Sequence, residues 1–226
     1  DLGVFMLRAG LAPEDSARLT AMYRSGKTLF RDQEPQRRVH QGERVGPGWP
    51  VLDAPGHCPG MVCLAVDDVV LTADLLLARI TPVQTPQSIT PFTGLEHYLR
   101  SLDALARFGE FSIGLGGHEA PIVDVHARIV ETRAHHGARL HRVMEALDGP
   151  ARTIADVSRG MFGPQKGYGV LLALLETGAH VEYLHERGRL RVENLDEAVE
   201  SHDAPVRYRT VDGHDRAEDL LDDPAV

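Results

Sequence analysis

The sequence predicts an α+β fold, and three patterns carry that prediction. Between Trp49 and Asp74 the chain reads WPVLDAPGHCPGMVCLAVDDVVLTAD, short β-branched runs cut by Pro, Gly and Asp. Runs of that kind, bounded by turn residues, read as strands. From Gly94 to Phe108, Leu95, Tyr98, Leu99, Leu102, Leu105 and Ala106 recur at helical spacing, which predicts an amphipathic helix. From Asp124, Val125, Ile129, Val130, Leu140, Val143, Met144 and Leu147 extend a second helical pattern for about six turns, weakened or kinked at Gly137.

Taken in order, residues 1–30 read as helical. In APEDSARLTAMYRSG, Pro13, Glu14 and Asp15 favour a first turn, and Leu19, Met22 and Tyr23 share a face. Residues 31–48 are polar and broken by Pro and Gly, with a small hairpin expected from Arg37–His40 and Glu43–Val45 around Gln41-Gly42. The first apolar run, Val51-Leu52, stops at Pro55-Gly56. A second follows from Met61 to Val66, Asp67-Asp68 makes a turn, and a third run starts at Val69 and closes at Asp74. The stretch after Asp74 carries Pro82, Pro86 and Pro91 with little periodicity, a loop. The tail from Ser201 is acidic and polar, with one short strand expected around PVRYRTV.

This arrangement sets one metal-type donor at each of three strand ends. His57 sits on the Pro55-Gly56 turn, Asp74 closes the third run, and SIGLGGHEAP runs another apolar strand into Gly116-Gly117 and His118. Imidazole and carboxylate suit divalent transition metals, and glycine lets backbone crowd a site. Taken singly, each has a plainer reading: a loop histidine, a strand-closing cap. Spacing alone makes no short metal motif.

In combination, PGHCPG, TADLLL and GGHEAP, with a Y-x-x-S-L helix between the last two, resemble the second half of the metallo-β-lactamase superfamily. The resemblance implies the C-terminal half of an αββα sandwich, with His57, Asp74 and His118 as metal ligands and Asp74 bridging two ions. Zinc is the usual metal, with iron or manganese as alternatives. Cys58, Ala73 and Gly116 replace the family's common neighbours. The family's H-x-H-x-D-H signature has no counterpart here: His126, His135-His136 and His214-Asp215 do not reproduce it. A missing N-terminal portion accounts for this, so that the chain lacks part of its site and has little activity alone; a metal-free relic of the fold is the alternative.

Thr81-Pro82 narrows the resemblance to the branch of the superfamily that bears a C-terminal winged helix. The domains expected are a metallo-β-lactamase-like portion at 1–137, a winged helix at 138–200 and an acidic tail at 201–226. In that branch a His-x-x-Arg pair is usual, here His136 and Arg139, which spacing puts on one helical face. They are candidates to contact the site or an anionic substrate group; a structural ion pair is the other reading. In the winged helix, Thr153 and Asp156 stand in capping-box register, a long helix covers Val170–Glu186, and RGRLRVE from Arg187 forms the wing. The long helix offers Glu176, Glu182 and Glu186 but no Lys or Arg before Arg187. That argues against DNA binding and for a structural or substrate-gating cap, with a winged-helix interaction module as the contrasting function.

Composition bounds the rest. A net charge of -9 over 226 residues argues against a general nucleic-acid footprint. No stretch is apolar enough to span a membrane. Cys58 and Cys63 are five residues apart, an odd separation that puts strand side chains on opposite faces; without a disulfide, a cytoplasmic setting follows. No G-x-S-x-G elbow or nucleotide-binding motif occurs. The activity the resemblance implies is metal-assisted hydrolysis of a thioester, ester, lactone or phosphodiester, in a small-molecule or carrier-bound substrate. Exposed strand faces and edges would favour pairing with a second copy of the chain.

Overall fold

The computed structural model describes residues 1–29, 31, 33–211 and 220–221. Asp1 caps helix α1 (Leu2–Arg8), its carboxylate accepting from the Gly3 N–H at 2.7 Å. Helix α2 (Pro13–Lys27) starts without a side-chain cap. Proline at its first turn removes a donor that would have no helical partner, and Glu14 and Asp15 suit the positive end of the helix dipole.

Five strands follow in one sheet: β1 (Arg44–Val45), β2 (Trp49–Asp53), β3 (Val62–Val66), β4 (Val69–Ala73) and β5 (Ile113–Gly116), in that spatial order. The first four pair antiparallel; β5 joins β4 in parallel after helix α3 (Leu95–Phe108). Helix α3 buries Leu95, Tyr98, Leu99, Leu102 and Leu105, the apolar set its periodicity marks. One face of the strands, with Cys63, Val70 and Thr72, is buried, whereas Leu64 and Leu71 are half-buried and Leu115 is exposed.

The small hairpin forms further along the chain than expected. Strand β1 pairs with β2, Val45 opposite Trp49, because Gly46 and Gly48 take the positive φ values the reversal needs. The Arg44 side chain donates to the Gly48 carbonyl at 2.6 Å and fixes the turn.

Helix α4 (Val125–Leu147) runs 23 residues and passes through Gly137 unbroken. Its buried side chains Val125, Ile129, Thr132, His136, Leu140, Val143 and Leu147 step by three and four, one continuous stripe, with the buried Gly137 beside it. The helical region continues with α5 (Ile154–Phe162), α6 (Tyr168–Glu186) and α7 (Leu195–Glu200), and strands β6 (Leu190–Val192) and β7 (Tyr208–Thr210) pair antiparallel around α7. The strand after Arg187 therefore closes not with its immediate neighbour but with the segment expected around PVRYRTV. Asn194 makes this connection: its side chain donates to the Pro205 carbonyl at 2.8 Å and accepts from the Arg207 N–H at 2.9 Å. Helix α6 is apolar nearly all round, with twelve of its residues buried, the mark of a packed helix rather than a solvent-facing one.

The chain divides into two compact units, residues 34–137 and residues 1–33 together with 138–226, the division falling within α4. Residues 1–33, grouped by sequence with the first domain, join the second unit. Backbone bonds explain this: the Ala155 N–H donates to the Ala9 carbonyl at 2.8 Å, and the Val206 N–H to the Arg8 carbonyl at 2.8 Å. The parts of the acidic tail at 212–219 and 222–226, with His214-Asp215, lie outside the described residues. No helix among the described residues is long and apolar enough to cross a membrane.

Helix α5 carries a complete capping box, Thr153 Oγ1 accepting from the Asp156 N–H and Asp156 accepting from the Thr153 N–H at 3.0 Å. Burial pushes the Asp156 carboxyl up, but the bonds from Thr153, aided by Arg159, outweigh it and hold the group below its ordinary value. A carboxyl lowered in the folded state stabilises fully above its unfolded pKa and loses that stabilisation as pH falls through the lowered value. Thr153→Ala is expected to cost about 0.5–2 kcal/mol at neutral pH. The loss should narrow in denaturant titrations run below about pH 4, where carboxylates protonate.

Candidate functional site

The site is built where β4 ends. Ala73, the last residue of β4, takes a left-handed φ of 47°, and the pairing with β5 shifts register between Leu71 and Ala73. A bulge of this kind bends a strand and re-aims the next side chain, here Asp74. The Gly117 N–H closes the irregularity onto the Ala73 carbonyl at 2.8 Å. Beyond Asp74 the chain is anchored from below: Thr72 Oγ1 donates to the Leu76 carbonyl at 2.8 Å, and the buried Tyr98 hydroxyl to the Leu75 carbonyl at 2.8 Å.

Two imidazoles face the carboxylate so placed. His57 Nε2 lies 3.7 Å and His118 Nε2 3.6 Å from Asp74 Oδ2. Both separations are too long for hydrogen bonds. Each separation by itself suits an imidazole and a carboxylate that share a cation, whose bonds to such donors run at about 2.0–2.2 Å. The other carboxylate oxygen, Asp74 Oδ1, is buried without a hydrogen-bond partner among the described residues, an arrangement that costs free energy unless a cation or donor satisfies it. Imidazole, imidazole and carboxylate are a borderline-soft donor set, so the residues present fit a divalent transition metal.

Each histidine is preceded by a glycine for a steric reason. A Cβ on Gly56 would lie 2.5 Å from the Tyr98 Cα, and its φ is 136°. A Cβ on Gly117 would lie 2.5 Å from Asp74 Oδ1. The His57 ring is oriented by its other nitrogen: Nδ1 is 3.0 Å from the Val83 carbonyl. As Nδ1–H donates there, the Nε2 lone pair is left facing Asp74, the outer-shell arrangement typical of metal-binding histidines.

The loop from Leu75 to Thr93 is thereby tied to the site, and two residues that sequence reasoning passed over do much of the tying. Glu119, next to His118, accepts from the Arg79 and Ile80 N–H groups at 2.8 and 3.2 Å. Those two backbone donors hold its carboxyl below the ordinary range. Arg128 donates to the Leu77 carbonyl at 2.7 Å and the Ile80 carbonyl at 2.9 Å. Nothing in local periodicity marks either residue; the only signal was Glu119's place beside His118. Non-glycine residues with positive φ also gather here, at Ala73, Phe92 and Glu119, with Asp67 in the β3–β4 turn as the other among the described residues. Strain of this sort persists where the surroundings enforce it, and collects at functional sites.

The remaining candidates sit elsewhere. His136 is buried on the α4 stripe, edge-on to the Tyr98 ring at 5.3 Å between centroids. Through Tyr98 it adjoins the hydroxyl that holds Leu75, one residue past Asp74. Arg139 belongs to the other unit, where it pairs with the buried Glu176 at 2.5 Å and lies over the Phe162 ring. The ion-pair alternative for Arg139 is thus the contact present. Cys58 and Cys63 are both free. Although Cys58 is exposed overall, burial of its sulfur and then the Asp74 charge raise its thiol above the ordinary value, which keeps it from being a ready nucleophile. The buried Cys63 thiol is pushed up to about 12.

Residues 13–118 match the family model of the metallo-beta-lactamase superfamily. Two solved structures are similar over most of this chain. One is a beta-lactamase domain protein from Burkholderia ambifaria, at 28% identity and a TM-score of 0.77, over 90% of this chain and 60% of that one. The other is a metallo-beta-lactamase family protein from Thermus thermophilus, at 28% identity and a TM-score of 0.62, over 92% of this chain and 68% of that one. This chain therefore spans 60% of the length of the Burkholderia protein. Among curated proteins none matches.

Gly117→Ala separates site geometry from fold. Its Cβ would meet Asp74 Oδ1 rather than any core side chain, so the carboxylate must swing away. Zinc uptake measured by calorimetry is expected to weaken by about tenfold or more, as for changes to a metal's outer shell, while the melting temperature moves little. Uptake equal to that of the unchanged protein would show that Asp74 has room to spare.

Proposed function

We propose that this chain, which carries a metallo-β-lactamase superfamily domain, is part of a metal-dependent hydrolase whose reaction centre lies at His57, Asp74 and His118. The observation that carries the reading is the convergence of two imidazole nitrogens on one carboxylate whose second oxygen is buried and unpartnered among the described residues. The reading extends to a two-ion site of the superfamily type, zinc being the first metal to test and iron or manganese the next. When bound, such a metal supplies a Lewis acid and a water acidic enough to act near neutral pH.

What the chain's own residues do follows from their contacts. The Val83 carbonyl fixes the tautomer of the neutral His57 ring, so that its Nε2 lone pair faces Asp74. Asp74 presents one oxygen to both histidines, which suits a bridging part. Tyr98 and, behind it, His136 hold the segment after Asp74, a positioning task that supports the site from outside it. Thioester, ester, lactone and phosphodiester substrates all fit this chemistry, because fold does not fix the bond cleaved.

The region from Ala138 is proposed as a winged-helix cap, with β6 and β7 in the wing position and α6 as its third helix. Its packing supports a structural part over DNA binding, since a helix buried along its length offers few phosphate contacts. Arg139 serves there as the partner of Glu176.

Calorimetric titration with zinc tests the metal reading directly. The chain is expected to take up zinc, and Asp74→Ala to lower the affinity by more than about a hundredfold, beyond what outer-shell changes cause. A chelator-sensitive signal in a panel of thioester, lactone and phosphodiester substrates, lost in Asp74→Ala, would identify the bond cleaved. Unchanged zinc affinity in both Asp74→Ala and His57→Ala would refute the site.

A further inference from the structure

On the strength of the metal reading above, we infer that Ser101 and Tyr98 are paired positioning residues. Their hydroxyls, about one helical turn apart on α3, together hold the His57 and Asp74 corners at a separation that suits a shared cation. Each acts through a backbone carbonyl beside a candidate ligand.

The inner side of α3 is otherwise apolar, with Leu95, Leu99, Leu102 and Leu105 buried. Tyr98 at 0% exposure and Ser101 at 3% are buried among them, and a spacing of three puts both on one helical face. A serine inside a helix commonly bonds a carbonyl of the preceding turn. Ser101 instead donates from Oγ to the Pro55 carbonyl at 2.7 Å, 46 residues away in the chain. The Tyr98 hydroxyl donates to the Leu75 carbonyl at 2.8 Å, 23 residues away.

Both acceptors belong to the ligand corners. Pro55 stands two residues before His57, and Leu75 directly follows Asp74. The cap of the helix adds a third bond, from the Gly94 N–H to the Gly56 carbonyl at 3.1 Å. Gly56 itself lies so close to α3 that a Cβ there would be 2.5 Å from the Tyr98 Cα. Pro55, Gly56 and Leu75 are thus all fixed to one short, stiff stretch of helix.

The sheet cannot set this spacing alone. Strand β2 ends at Asp53 and β4 at Ala73, so both corners lie beyond the strands. Strand β3 stands between β2 and β4, which share no direct ladder. Helix α3 supplies the missing cross-link, and His57 Nε2 stands 3.7 Å from Asp74 Oδ2. Ligands set in place by supporting bonds need little rearrangement when a metal arrives. A hydroxyl that only satisfied a buried carbonyl would change stability when removed and leave metal affinity alone. A positioning hydroxyl changes metal affinity as well.

The test uses zinc as the probe on the full chain, with affinity read by calorimetry and melting temperature read separately. Tyr98→Phe and Ser101→Ala each remove one oxygen atom. Each is expected to lower zinc affinity by about tenfold or more, as changes to a metal's outer shell do, and to alter the visible absorption of the cobalt-loaded chain. Ser101→Thr, which keeps the hydroxyl, should retain most of the affinity. In the double variant the loss should be smaller than the product of the two single losses, because side chains that set one spacing act as a unit. Leu105→Val, a packing change further along the same helix, should lower the melting temperature and leave zinc affinity unchanged. Affinity retained in both Tyr98→Phe and Ser101→Ala, a double loss equal to the product of the single ones, or an equal loss in Leu105→Val overturns the inference and leaves the metal reading standing. Failure of the unchanged chain to take up zinc overturns both.

Discussion

The aim of one carboxylate, Asp74, is the constraint on which the rest of the site depends. A straight continuation of β4 would send the side chain at position 74 to one face of the sheet or the other. The bulge against β5 and the left-handed turn at Ala73 send it off the strand end instead. That direction is tolerated only because Gly117 lacks a Cβ where Asp74 Oδ1 must lie. The buried bonds of Thr72 and Tyr98 then prevent the following segment from relaxing the bend. Left-handed backbone costs an L-residue about 1–2 kcal/mol. Around Asp74 that cost is offset by packing below the site, so the strain is held by the scaffold and the carboxylate stays turned towards its two imidazoles.

The long connection after Asp74 is restrained in the same way. By composition it is a proline-broken loop, yet its backbone is bonded to Glu119, Arg128, His57 and Gly56. Restraint from several sides turns a surface loop into a wall. This couples sheet, loop and site: the residues that hold the loop are neighbours of the candidate ligands, so ligand geometry and loop geometry are fixed by one set of bonds. Preorganisation of that kind suits catalysis, where small misplacements are costly.

The other unit uses its polar groups for packing. Glu176 and His180 lie on the buried helix α6, Glu176 paired with Arg139 and His180 bonded to the Glu176 carbonyl at 2.7 Å. Burial lowers the His180 pKa, the Glu176 charge and carbonyl work against that, and Arg139 adds to it, which leaves the ring below its ordinary value. A histidine lowered in the folded state stabilises above its unfolded pKa and loses that stabilisation as pH falls.

Much of this was legible in the amino-acid order. The β-branched runs gave the strands, the three-and-four spacing gave α3 and α4, and Thr153 with Asp156 gave the start of α5, because each of these signals is local. His57, Asp74 and His118 were also nominated by sequence, through their strand-end positions and their family resemblance. Their approach to one another was not readable from spacing, since it depends on a parallel pairing of β4 with β5 across a long connection that includes α3. Gln41-Gly42 does form a turn, but the strand pairing lies beyond it, across Gly46 and Gly48. By contacts residues 1–33 belong with 138–226 rather than with the residues that follow them, as backbone bonds to Ala155 and Val206 are invisible to periodicity. Glu119, Arg128 and Val83 matter only through contacts 26 to 51 residues away in the chain. The sequence by itself determined which groups are available for chemistry; tertiary structure decided where they point, because direction is set by bulges, missing Cβ atoms and long-range hydrogen bonds that no local pattern encodes.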